Sequence, residues 1–439
     1  MNIYHMNKQK RIDSITVGFA LFAMFFGAGN LIIPPILGLT AGSAWFPSVL
    51  GFAITSVCAT FLGIIAVVVS GDNFNDVGNR INPIFSIIIT AICMLSIGPL
   101  VAIPRTAATT FEIGVQPLFN HTSPILSSIL FFSITLILSL SSTRVVDIIG
   151  KILTPLLLII LIALIILGVI HPLNIDLVQL KSNSDAFVSG FREGYQTMDL
   201  LASFVMAGII ISAIKAKGHQ QEKDKKQVTI TAALIAMSCL ILIYGGLVFL
   251  GATSGYTAND SIQRTELLLH ISKGVLGKNG TLLLSVCVAL ACLTTAIALT
   301  SAVSDYFNKL SNNLLSYRLL VIVICVFSGF LAVYGVDNII DYAYPFLAVI
   351  YPIAVSMAFF IVFFGKFIKD KRPYIAVVSI TFIIALIGLF EYLDIARDYM
   401  QLILKSIPLN RYEIPWFLPS LLGFIIVWLL VRKNNSNLN

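Results

Sequence analysis

The sequence predicts an all-α, polytopic membrane protein of about twelve transmembrane helices, and three observations carry that reading. Of the 439 residues, 58% are hydrophobic and only 11% charged, with a mean hydropathy of +0.94, whereas soluble domains run at roughly 25% charged. Apolar runs of about 20 residues, each enough to cross a hydrocarbon core of roughly 30 Å, recur from end to end. Basic residues gather in alternate connecting segments. No loop is long enough for a soluble domain, so residues 1–439 are read as one transmembrane unit.

The spans lie at about 11–39, 44–70, 83–111, 123–140, 146–170, 187–216, 228–250, 280–307, 316–334, 339–364, 374–393 and 415–431. The first does not read as a plain helix: Phe25-Phe26-Gly27-Ala28-Gly29-Asn30-Leu31-Ile32-Ile33-Pro34-Pro35 sets two glycines, an asparagine and two prolines where an unbroken ladder belongs. Proline lacks the amide hydrogen and glycine accepts dihedrals that other residues avoid, so the helix is expected to open here. Opened backbone is tolerated in a membrane only where protein or a watery cavity covers it, and broken spans build the binding sites of secondary transporters. The plainer alternative is a kink, or a close helix contact through small residues.

The third span carries Gly98-Pro99-Leu100-Val101-Ala102-Ile103-Pro104-Arg105, a second Gly/Pro-broken stretch. Its Arg105 is read as a gate or structural anchor ahead of a substrate contact. The sixth span is interrupted by polarity: Tyr195-Gln196-Thr197-Met198-Asp199 separates a short half holding Arg192 and Glu193 from an apolar half, 200–214. An acid inside a span costs at least roughly 2.5 kcal/mol on insertion scales and needs compensation. Asp199 either faces a substrate ammonium or a coupling ion, or caps the second half-helix. Breaks in the first and sixth spans allow an inverted five-plus-five repeat, about 11–170 and 187–364, with two extra helices at 374–431.

In the eighth span Ala291, Thr294 and Thr295 stand at i, i+3, i+4 and share one face. Two hydroxyls set against freed carbonyls suit a hard monovalent cation, although threonine also bonds its own helix. Where the first span opens, half-helix amides attract a carboxylate and freed carbonyls attract an ammonium or small cation, so a zwitterion satisfies both.

With the N-terminus inside, 19 of the 28 basic residues fall in cytoplasmic segments and eight outside, with Arg105 within a span. This asymmetry places both termini in the cytoplasm. It also explains the net charge of +7 without nucleic acid, and makes the cluster Lys217 to Lys226 a topology signal. The segment from His5 to Arg11 has no small-residue cleavage site after a short apolar region, so no removed signal peptide is expected. The six cysteines all sit in apolar spans without metal-site spacing. A membrane enzyme would need a nucleophile with a base, or a metal cluster, and none of His5, His121, His171, His219 or His270 lies mid-span. A channel would need rings of charge or carbonyls, and here the intramembrane charges are single and scattered.

Gly27-Ala28-Gly29-Asn30-Leu31-Ile32-Ile33-Pro34-Pro35, Ala102-Ile103-Pro104-Arg105-Thr106-Ala107, Gly194-Tyr195-Gln196-Thr197-Met198-Asp199 and Ala291-Cys292-Leu293-Thr294-Thr295-Ala296 together resemble the motifs of the bacterial branched-chain amino acid:cation symporters. The resemblance covers nearly the whole chain. It implies the LeuT-type fold of the amino acid-polyamine-organocation superfamily, in the cytoplasmic membrane, importing leucine, isoleucine and valine on a sodium or proton gradient. By that resemblance Gly27, Ala28 and Gly29 meet the substrate carboxylate, with Tyr195, Gln196, Thr197, Met198 and Asp199 opposite, while Asn30 braces the opened helix. The carbonyls of Ala23, Phe26 and Ala291 with the hydroxyls of Thr294 and Thr295 would hold Na+. Phe25 and Phe26 are bulkier than the small residues beside such a cation, which favours the backbone route. Asp199 has no counterpart in the best-known members of the wider fold and is the main support for proton coupling instead. The sodium-coupled symporter, without a cofactor and working by alternating access, is the expectation; the sequence fixes no oligomeric state.

Overall fold

The computed structural model describes residues 8–71, 74–119, 121–140, 144–256 and 263–436, without the side chains of 74, 144–154 and 434–436. His5 lies outside the described residues, as do the side chains of Arg144 and Lys151. Helices lie along each of the apolar runs read from the sequence. They are α1 (Lys8–Phe25), α2 (Ala28–Ala41), α3 (Trp45–Ser70), α4 (Pro83–Val115), α5 (Pro124–Leu140), α6 (Arg144–Ile170), α7 (Asn183–Tyr195), α8 (Asp199–Ala216), α9 (Glu222–Ala252), α10 (Arg264–Leu310), α11 (Tyr317–Ala332), α12 (Val336–Phe364), α13 (Arg372–Tyr392), α14 (Arg397–Ser406) and α15 (Phe417–Ser436). Among the described residues seven helices are long and apolar enough to cross a membrane, and the bent pair α1–α2 makes an eighth. The chain is a multi-pass membrane protein.

Burial follows the solvent that each side chain meets. Phe22, Phe52, Phe204 and Tyr351 pack in one continuous core, while Leu242, Phe330, Ile159 and Leu422 stand exposed on helix flanks. A belt of exposed aliphatics would be a liability in water and is what a bilayer accepts.

Both halves of the first span pack on α9, and both halves of the sixth pack on α3. These contacts are close because glycine provides them. A Cβ on Gly38 would strike the Val248 carbonyl of α9, and one on Gly190 would strike the Ser48 carbonyl of α3. The first and sixth spans thus stand in matching relations to the seventh and second, the pattern an inverted repeat produces.

Three details depart from the sequence reading. The first span breaks only at Phe26 and Gly27, with a bend of 73°, so Ala28, Gly29 and Asn30 already form the first turn of α2. Pro34 and Pro35 lie inside α2; they remove two amide donors, leaving the Asn30 and Leu31 carbonyls without helical partners, but do not open the helix. The eighth span is longer than expected, running from Arg264 with a kink at Gly277 (φ 69°).

Candidate functional site

The first break is held from a distance. The α1 ladder ends with Phe26 N–H donating to the Phe22 carbonyl at 2.9 Å, and carbonyls beyond that point have lost their helical donors. The Phe25 carbonyl is met by Asn30, whose Nδ2 donates to it at 3.0 Å. The same amide reaches the Asp199 carboxylate at 2.8 Å and the Tyr244 hydroxyl. Tyr244 also donates to Asp199, at 3.3 Å. All three side chains are buried, so one carboxylate ties α2, α8 and α9 together. At α2, Gly27 is extended (φ −114°, ψ −173°) and lends no side chain to the first-turn amides. The Ala28 and Gly29 amides are therefore open to an anion, while the Asn30 amide turns back on the Gly27 carbonyl at 3.2 Å.

The second break is held locally. Gln196, Thr197 and Met198 donate back to Glu193, Gly194 and Tyr195 in tight i to i−3 turns. Met198 then takes a left-handed conformation (φ 60°, ψ 14°) before α8 begins at Asp199. For a residue with a side chain this is a strained geometry of the kind that gathers at functional sites. The Thr197 hydroxyl donates to the Gly194 carbonyl at 2.9 Å and accepts the Asp199 amide at 3.4 Å. Thr197 therefore caps the half-helix; Asp199, expected as a possible cap, spends its carboxylate on Asn30 and Tyr244.

Arg105 of α4 joins the two breaks. It is buried, and its guanidinium donates to the Gln196 carbonyl at 2.7 Å. It also lies flat on Gly29, where a Cβ would stand 2.6 Å from a guanidinium nitrogen. Gly29 is therefore required by close approach rather than by dihedral angle.

A cavity opens where these elements meet, walled by Gly27, Ala28, Asn30, Arg105, Thr197, Met198, Asp199 and Thr295, with Met24, Ile97, Ala102, Ala202, Met206 and Leu299 as its apolar side. At about 50 Å³ it has room for a few water molecules. Admitting anything the size of leucine requires the walls to part. Its polar wall brings together the Arg105 guanidinium, the first-turn backbone of α2 and the Asp199 carboxylate, and the rest is largely apolar; a zwitterion with an aliphatic tail matches that set of groups.

Not every residue expected at the site reaches it. Tyr195 faces a different cavity and stacks on Tyr351 at 4.4 Å. Gln196 gives its carbonyl to Arg105 and keeps its side-chain oxygen buried without a partner among the described residues. Gly29 sits behind Arg105. Of the expected cation ligands only Thr295 lines the cavity; Ala23, Phe26, Ala291 and Thr294 lie outside its wall. Thr294 and Thr295 both donate to the Ala291 carbonyl, at 2.9 and 3.0 Å, which leaves their lone pairs free to coordinate. The Phe26 ring stacks on Phe22 at 5.2 Å, away from any side-chain coordination.

Two functional residues escaped the sequence. Tyr244 is a lone hydroxyl in the aliphatic run of α9, a signal that tyrosine in a span usually needs a partner. Arg264 pairs with Asp337 and lies 3.6 Å from Glu193, fastening the end of the bundle opposite the N-terminus. At the other end Lys10 meets Asp224 at 2.6 Å and Asp13 meets His219 at 2.9 Å.

The profile of the family described as branched-chain amino acid transport protein matches residues 10–434. The chain belongs to that family. As a branched-chain amino acid transport protein it is a transporter and not an enzyme. It is 36% identical over 431 residues to the branched-chain amino acid permease BraB of Bacillus subtilis, covering 95% of each chain. It is also 36% identical over 423 residues to the permease BrnQ of the same organism, covering 95% of this chain and 96% of that one. Among solved structures it is similar to a nucleobase-cation-symport-1 family transporter in a closed conformation (TM-score 0.60, 13% identity, 96% and 93% covered). It is likewise similar to a sodium-coupled sialic acid symporter (TM-score 0.52, 12% identity, 97% and 98% covered). At such identities the likeness carries the fold alone, and that fold is the LeuT-like one.

Proposed function

We propose that this family member imports leucine, isoleucine and valine through the cell membrane by sodium symport and alternating access, with both termini in the cytoplasm. The repeats are taken as about 11–170 and 187–364, with 374–431 outside them. The observation that carries the reading is the cavity between the two helix breaks, whose wall holds the Arg105 guanidinium, the α2 first turn and the Asp199 carboxylate together with aliphatic side chains. The substrate carboxylate meets the amides of Gly27 and Ala28 beside Arg105. Its ammonium meets Asp199 and Thr197, and its side chain packs on Met206, Ile97 and Leu299. An aliphatic wall separates leucine from valine by a methylene, worth only about 1 to 3 kcal/mol, so the three substrates compete.

Sodium is assigned to the hydroxyls of Thr294 and Thr295 with the carbonyls of Ala23, Phe26 and Ala291. Neutral oxygen donors at a half-helix C-terminus suit that ion. When bound, sodium supplies a positive charge that draws α1 and α10 together. A proton-coupled mechanism is favoured by one specific observation: Asp199, a buried carboxylate held by Asn30 and Tyr244, could carry the proton itself.

The test is uptake of labelled leucine into proteoliposomes under an inward sodium gradient, with unlabelled isoleucine, valine, lysine and glutamate as competitors. Accumulation blocked by isoleucine and valine alone is expected. Accumulation insensitive to both, or equal inhibition by lysine, would overturn the substrate assignment.

A further inference from the structure

The half-helices α1 and α8 run between the two breaks and the N-terminal end of the bundle, and there they are fastened together in a way that the central site does not explain. α8 ends at Ala216 in a tight cap: the Gly218 amide (φ 94°) donates to the Lys215 carbonyl at 3.0 Å and the His219 amide to the Ile214 carbonyl at 3.3 Å. Glycine takes that left-handed position without strain, which is why this cap forms here. The turn sets His219 against α1, with its Nε2 2.9 Å from the Asp13 carboxylate.

Both side chains are buried, Asp13 at 4% exposure and His219 at 8%. The other Asp13 oxygen has Gln9 Nε2 at 3.3 Å and Lys217 Nζ, from the connector, at 3.5 Å. Around them Lys10 of α1 pairs with Asp224 of α9 at 2.6 Å, and the buried Lys225 pairs with Glu222 at 2.6 Å. Lys215 stands in the last turn of α8 and Lys223 in the first turn of α9. An ionised carboxylate only accepts, so the imidazole donates from Nε2 in either charge state. Protonation at Nδ1 therefore keeps the hydrogen bond and adds an ion pair where water screens it least. Histidine is the side chain whose ordinary charge change falls between about pH 5 and pH 8.

We propose that the contact between Asp13 and His219 is a pH-sensitive clasp that holds the inner pathway shut, so that an acid cytoplasm slows import. Met24 of α1 and Asp199, Ala202 and Met206 of α8 wall the central cavity, so opening it toward the N-terminal end parts these two half-helices. Parting them exchanges the Asp13 carboxylate beside the imidazole for water. A state that holds a proton better is favoured as protons are supplied. Acid thus charges His219 and tightens the clasp, whereas alkali leaves the hydrogen bond and removes the ion pair. The proposal rests on the topology and the transported class assigned above.

The test is the initial rate of leucine uptake by right-side-out membrane vesicles under one fixed inward sodium gradient. Each side in turn is set to about pH 6 or about pH 8, either side of histidine's ordinary charge change, while the other side is held constant. The wild type is expected to slow at least about threefold when the lumen is acid, on the scale of a single ion pair. His219→Gln keeps a donor without the charge and should run at the faster rate at both lumenal values; His219→Arg keeps the charge and should be slow at both. Asp13→Asn leaves the imidazole but removes its counter-charge, and it should be flat as well, which decides the matter even if His219→Gln fails to insert. A wild type indifferent to pH on both sides overturns the clasp. So does the wild-type dependence persisting in His219→Gln or Asp13→Asn, which would pass the titration to another group such as Asp199. A dependence on external instead of lumenal pH, abolished by His219→Gln, would uphold the clasp and overturn the topology.

Discussion

The two breaks face one cavity but are made by opposite means, and the difference shows where coupling resides. The first is a two-residue opening with one backbone turn of its own, Asn30 N–H to the Gly27 carbonyl at 3.2 Å, and is closed by the Asn30 side chain, which meets the Phe25 carbonyl and reaches Asp199 and Tyr244 on other helices. The second is stitched by its own i to i−3 turns and by Thr197, and stores strain at Met198. A break braced by other helices changes when those helices move. A break braced mainly by its own turns, with Arg105 bonded to its Gln196 carbonyl, is the more rigid platform. On this account the first span is the moving part, and Asp199 is the point at which it engages the platform.

The largest expected effect comes from cutting that link. Asp199→Asn keeps the volume but removes the charge that faces both the brace and the substrate; leucine uptake should fall at least about 100-fold, equivalent to about 2.7 kcal/mol. A protein that expresses normally and still transports within a few-fold of wild type would break the comparison. The next largest comes from Gly29→Ala, whose methyl collides with the Arg105 guanidinium. Uptake should drop about tenfold, and in an Arg105→Ala background the same substitution should cost far less, because residues in contact are non-additive. Simple additivity would show that Gly29 is not held by Arg105. Thr295→Ala should then raise the sodium concentration for half-maximal uptake about tenfold, or about 1.4 kcal/mol, with leucine affinity at saturating sodium little changed. Smallest of all is Gly27→Ala. That residue is extended, with open space where its Cβ would go, so expression and melting temperature should match wild type and uptake should stay within about threefold, steric cost being absent.

The contrast between Gly27 and Gly29 also marks how far the sequence could be read. Apolar runs and basic loops revealed the membrane fold because both reflect the bilayer as solvent. The first break was legible because glycine and proline change the backbone directly. Its extent was not, since Pro34 and Pro35 remain helical within α2. At the second break polarity drew attention to residues 195–199, but nothing in Met198 announces a left-handed conformation, and Tyr195 turns out to face the far-end cavity. Arg105 looked like an anchor because its single-residue signal cannot say that it lies on Gly29 and the Gln196 carbonyl at once. Tyr244 was missed for the same reason: its importance is a contact 214 residues from Asn30, which no local pattern encodes.

The measurement that bears most directly on the account is leucine uptake by proteoliposomes under a sodium gradient and, separately, under a proton gradient without sodium. It should compare wild type, Thr294→Ala/Thr295→Ala and Asp199→Asn. The account predicts accumulation with sodium alone, its loss in the threonine double variant, and no accumulation with protons alone. Accumulation driven by protons without sodium, unaffected by the threonine changes and abolished by Asp199→Asn, would contradict it and make the carboxylate the coupling group.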